Sequence, residues 1–166
     1  MSENYIVING KKAELTEEQL KALGIEPEKK RNNPFERVRR GERYFSADYK
    51  DVSNVWEGND FMDDDFFESA NYFNDKQFAE QVSLHQLLYR KLLKFAYDND
   101  CEDTAEWNVK NKHYTVAYSF DERCFKPDWF VNYKYTGVYF SSKEAAERAI
   151  KEVIKPFMKE HPEFVW

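Results

Sequence analysis

The sequence predicts an α+β domain: an antiparallel or mixed sheet with two long helices on one face, from a duplicated ββα unit. Three observations point there. Aromatic and β-branched segments alternate with two long segments of helical apolar spacing. Each helical segment opens on a similar stretch, Tyr72–Gln81 (YFNDKQFAEQ) and Tyr139–Arg148 (YFSSKEAAER), with five of ten positions identical. Aromatics make up 17% of the chain, and only five Gly and five Pro interrupt it, so the apolar material suffices for a core.

The elements follow in order. Residues 4–9 read as a strand, Asn9-Gly10 as a tight turn, and Lys11 to Leu15 as the returning strand. Thr16 and Gln19 form a capping box for a short helix, with Leu15 and Leu20 at the staple positions. Gly24 suits the left-handed position that ends it, and Ile25 can pack back on Leu20. Residues 1–25 are thus expected to form a small strand–helix arm, and residues 26–34 a linker rich in charge and proline. The α+β domain then spans 35–166, with repeats at about 43–98 and 106–160.

Within it, residues 43–56 read as one or two strands with a turn near Asp48, and 57–71 as an acidic, aromatic loop. Residues 75–98 form the strongest helix. Phe78, Val82, His85, Leu88, Leu92 and Phe95 recur there at three- and four-residue steps. Strands are expected at 113–120, 129–135 and 138–140. Asn74 with Gln77, and Ser141 with Glu144, are the expected caps of the two long helices. Ala146, Ala149, Ile150, Ile154 and Phe157 give the last helix its apolar stripe, and Pro156 is expected to kink or end it.

Net charge is −6, which does not suit bulk nucleic-acid binding. Cys101 and Cys124 fit neither a metal spacing nor a disulfide framework, and His85, His113 and His161 lie far apart. The opening MSENYIVING lacks the features of a signal peptide, and no stretch approaches the length of an apolar span. A cytoplasmic location with reduced thiols is the expectation.

Charge is unevenly distributed. From Asp51 to Asp75, both included, there are eight carboxylates and no Lys or Arg. Trp56, Glu57, Asp60, Phe61, Asp63, Asp64, Asp65 and Glu68 are the candidate partner-binding residues. Aromatic anchors among negative charges would suit the cationic groove of a nucleic-acid enzyme. Two other readings stand beside this one: a hard-cation site, although the EF-hand pattern is absent, and a solvated loop. Lys29–Arg43 carries seven Lys/Arg against two Glu. Arg37, Arg39, Arg40 and Arg43 could touch phosphate, with strand aromatics (Tyr114, Tyr118, Trp129, Tyr133, Tyr135, Tyr139) stacking bases. The same segment could instead neutralise the acidic run of its own chain.

Catalytic motifs are not found. No nucleophile elbow, zinc-binding helix or phosphate loop occurs. Acids flank Cys101, and Cys124 lies between Arg123 and Lys126 without a base in reach of the sequence. Pro127-Asp128 lacks the downstream acid that a metal-dependent nuclease needs. No catalytic residue, metal or cofactor is therefore expected.

The order ING…LTEEQLKALGI, PFERVRRGERYF, YFNDKQFAE and GVYFSSKEAAERAI resembles small accessory proteins carried by phages and mobile elements of Gram-positive bacteria. That group includes anti-CRISPR inhibitors of Cas nucleases. The resemblance implies a non-catalytic inhibitor whose partner is a bacterial nucleic-acid-binding protein. It carries no site residues over.

Overall fold

The structure is a computed structural model. It describes residues 33–48 and 51–166, the backbones of 5–8 and 11–14, and a few positions between 16 and 23. The chain divides into two compact units, Met1–Asn33 and Pro34–Trp166.

In the first unit β1 (Tyr5–Ile8) pairs antiparallel with β2 (Lys11–Glu14), and Ile8 lies opposite Lys11. That register leaves two residues for the connection, as a tight hairpin requires. The expected capping box is present. The Thr16 N–H donates to Gln19 Oε1 (2.9 Å), and the Gln19 N–H donates to Thr16 Oγ1 (3.3 Å). The Asn9-Gly10 turn, the Leu15–Leu20 staple, Gly24, Ile25 and most of the expected linker lie outside the described residues.

The second unit is α+β. β3 (Arg43–Ala47) and β4 (Val52–Trp56) form one antiparallel hairpin; β5 (His113–Ser119) and β6 (Cys124–Phe130) form another. The expected continuous sheet is not formed among the described residues: each hairpin is its own two-stranded sheet. Single bridges extend them, Phe45 to Phe73 and Tyr114 to Phe140.

Helix α1 (Phe61–Glu68) occupies the stretch expected to be loop. Its start was encoded in Asp60-x-x-Asp63. The Asp60 carboxylate accepts from the Asp63 N–H, and Asp63 accepts from the Asp60 N–H. Its end is a Schellman motif. The Asn71 N–H reaches Phe66 O and the Ala70 N–H reaches Phe67 O, with Ala70 left-handed at φ 54°. Helix α2 (Lys76–Asp98) ends the same way, with Asp100 at φ 48° and the Cys101 N–H on Ala96 O.

The last helix has three parts: α3 (Lys143–Ala149), a π-helical segment (Ile150–Ile154), and α4 (Lys155–Glu160). Pro156 has no N–H for Glu152 O. The chain absorbs the missing bond by widening one turn, with the Lys155 N–H on Ile150 O, and continues as helix rather than ending. The caps expected at Asn74 and Ser141 fall one residue later, at Asp75 of α2 and Ser142 of α3, which accept from the Phe78 and Ala145 N–H groups.

Helix α2 rests on β3 and β4, and α3 on β5 and β6. The main core joins Leu84, Leu88, Leu92 and Phe95 to Ala146, Ala149, Ile154 and Phe157, with Phe140 and Phe164 between them. Phe78, expected on the apolar stripe, is 37% exposed and packs its ring against Phe35 and Phe73. Ser83, a polar residue on that helix, is buried and its hydroxyl reaches the carbonyls of Asp48 and Asp51 at the β3–β4 turn. The expected strand 129–135 begins earlier, at Cys124, and stops at Phe130; only Phe140 of 138–140 pairs.

Candidate partner-binding site

The acidic run divides by burial into an inner and an outer set. Glu57 and Asp63 point inward and are only 1% and 2% exposed. This corrects their assignment to a contact surface. A buried carboxylate requires hydrogen-bond partners, and both have them. Glu57 receives four hydrogen bonds: two from Arg37 (3.1 Å each), one from the Tyr72 hydroxyl (2.7 Å) and one from the Asn59 N–H (2.8 Å). Asp63 receives the Tyr44 hydroxyl (2.8 Å) and the N–H groups of Gly58 (2.7 Å) and Asp60 (3.2 Å).

The two tyrosines stack at 3.9 Å beside Val38, and the Val38 N–H donates to the Tyr72 hydroxyl. Gly58 leaves little room here: a Cβ would lie 3.3 Å from Asp60 Oδ2 and 3.4 Å from Asp63 Oδ2. The network clamps the β4–α1 junction to the segment before β3. Burial works against the charge on Asp63. The hydrogen bonds from Asp60, Tyr44 and Gly58 outweigh it and hold the carboxyl below its usual range. Burial pushes the Tyr44 and Tyr72 hydroxyls up, and their carboxylate partners add to this. Both stay neutral donors at physiological pH.

The outer set faces solvent. Phe61 is 75% exposed and Trp56 60%, with Met62 and Phe67 also open. Phe61, Asp65 and Glu68 lie at i, i+4 and i+7, so they share one stripe of α1. Asp64 beside it accepts a hydrogen bond from Arg37 Nη1 (2.6 Å). Among the described residues nothing pairs with the side chains of Asp65 or Glu68. Asp60 is exposed but committed to the cap.

Of the basic residues, Arg37 is engaged with Glu57 and Asp64, and its charged state is reinforced by both. The self-neutralising reading thus holds for this residue. Arg43 lies over the Trp56 ring at 4.3 Å. Arg40 is exposed, and Arg39 has partners.

The sequence analysis missed Tyr44, Tyr72 and Asn59 as members of this network. The Asp60-x-x-Asp63 spacing was the one signal able to separate helix from loop. It also missed a second polar cluster. Asp103 Oδ2 lies 2.5 Å from His113 Nδ1, and Trp107 stacks on the imidazole at 3.6 Å. Both side chains are buried, and His113 Nε2 has no partner. The dyad is closed to solvent, so a substrate has no path to it in this conformation. Cys101 is buried, which pushes its thiol up, against Arg148 and with Glu102 and Asp100. His85, expected on the apolar side, is exposed with its ring against Phe164 at 4.6 Å.

Among the described residues no group of three or more His, Cys, Asp or Glu could hold a metal ion, and no helix is long and apolar enough to cross a membrane. Comparison of the chain with protein-family models, curated proteins and solved structures returns no match.

Proposed function

We propose that Pro34–Trp166 is a non-catalytic binding domain that docks on a cationic, nucleic-acid-binding surface of another protein through α1. The carrying observation is the division of the acidic run. Two carboxylates are buried to hold the helix rigid, which leaves Phe61, Asp65 and Glu68 on its outer stripe. Large exposed aromatics serve as interface anchors, and the unpaired carboxylates supply steering and salt-sensitive specificity. A rigid helix loses little freedom on docking.

The resemblance to phage accessory proteins narrows the partner to a bacterial host enzyme in the cytoplasm, a Cas nuclease among the candidates. The mechanism is occlusion of the groove that the nucleic acid would occupy. The test is displacement: a Phe61→Ala, Asp65→Asn, Glu68→Gln triple variant should bind a captured partner at least about tenfold more weakly, since losing an anchor and two charges removes more than 1.4 kcal/mol. Unchanged binding would refute the assignment.

We also propose that the two halves arose by duplication of a ββα unit. In both, the first hairpin strand bridges the Phe of a Tyr-Phe pair, and the helix cap follows two residues later. In both, the helix rests on its own hairpin. An experimental structure in which the two strand–helix pairs do not superpose would count against this.

A further inference from the structure

Aromatic and cationic side chains gather at the open end of the β5–β6 hairpin, where β5 begins and β6 ends. The register sets Tyr114 opposite Trp129 and His113 opposite Phe130. Trp129 is 46% exposed, with the Lys112 ammonium over its ring at 4.3 Å. On the other face of the hairpin, which His113 and Phe130 share, Trp107 stacks on His113 and Lys134 lies over Trp107 at 5.5 Å. Tyr133 is 70% exposed, and Tyr135 is largely exposed against Phe130.

The loop carrying these tyrosines is braced. The Tyr139 hydroxyl accepts from the Tyr135 N–H (2.8 Å) and donates to the Tyr135 carbonyl (3.1 Å).

The pairing of the lysines is informative. Among the described residues of an acidic chain, neither Lys112 nor Lys134 has a carboxylate partner; each lies on an indole instead. The acids nearby are otherwise bonded: Asp128 accepts from the Trp129 N–H and Glu106 from Asn108. Exposed rings accept stacked bases of any identity, and ammonium groups beside them reach the phosphates between those bases. A duplex offers its bases no free face, so the match is to an unpaired strand.

We propose that this end of the hairpin binds single-stranded nucleic acid, without sequence preference, by stacking on Trp129 and Tyr133 with Lys112 and Lys134 on the backbone. The site is independent of α1 and of the proposal made for it. The basic 29–43 segment is not required.

Fluorescence anisotropy with a labelled twenty-nucleotide oligothymidylate at low salt tests this. Binding is expected, weakening as salt rises. Trp129→Ala and Tyr133→Ala should each weaken it at least about fivefold, as should Lys134→Glu. Tyr133 and Lys134 are surface substitutions that leave folding intact, so a failure of Trp129→Ala to fold does not remove the test. No binding at low salt, variants that bind as the parent does, equal affinity for the duplex, or equal binding of a poly-glutamate peptide would each overturn the proposal.

Discussion

Glu57 receives four hydrogen bonds from three residues, and that density makes it the most sensitive position in the network. Glu57→Gln removes the charge facing Arg37 and puts a donor where an acceptor is needed. A loss of about 2–3 kcal/mol is expected in urea unfolding. Tyr72→Phe leaves the Val38 N–H without its acceptor and should lose about 1–2 kcal/mol. Asp63 predicts an acid response. Its folded-state pKa lies below the unfolded value, so its contribution is complete above roughly pH 4 and is lost as pH falls through the folded value. Unfolding midpoints between pH 5 and pH 2, in these rough limits, should therefore fall more steeply for the parent than for Asp63→Asn. Parallel curves would contradict the assignment.

At the scale of elements, α1 carries the account, and its ends offer two opposite tests. Asp60→Ala removes the N-cap and should cost about 1 kcal/mol. Ala70 is left-handed in the Schellman motif, where a Cβ is unfavourable. Ala70→Gly should stabilise by about 0.5–1 kcal/mol in the same unfolding assay. Loss of stability instead would mean the helix ends differently. The elements differ in how legible they were. Leu88, Leu92 and Phe95 of α2 and the apolar face of the last helix follow from spacing alone, because each faces one packed surface, whereas Phe78 and His85 of the expected stripe are exposed. The charge of the run that holds α1 resembles that of a solvated loop; Glu57 before the helix and Asp63 within it turn inward, and only the tertiary partners Arg37, Tyr44 and Tyr72 make that possible. Local sequence does not encode a partner twenty residues away. Pro156 shows the same limit: the sequence marks a fault in the helix, and packing of Ile154 and Phe157 in the core favours repair over termination.

Across the whole second unit, charge is arranged rather than scattered. Negative charge and open aromatics meet on α1, while unpaired lysines and open aromatics meet at the far-numbered hairpin end. The sequence located the acidic region but assigned all its carboxylates to one surface, since burial depends on the fold. The central claim is that the outer stripe of α1 docks on a nucleic-acid-binding protein. Its most direct test is capture from a nuclease-treated bacterial lysate by the parent and by the Phe61→Ala, Asp65→Asn, Glu68→Gln variant, with bound proteins identified by mass spectrometry. The account predicts a basic nucleic-acid-binding protein retained by the parent at low salt, released by high salt or by added oligonucleotide, and missing from the variant. Equal retention by parent and variant, or capture that oligonucleotide does not release, would contradict it.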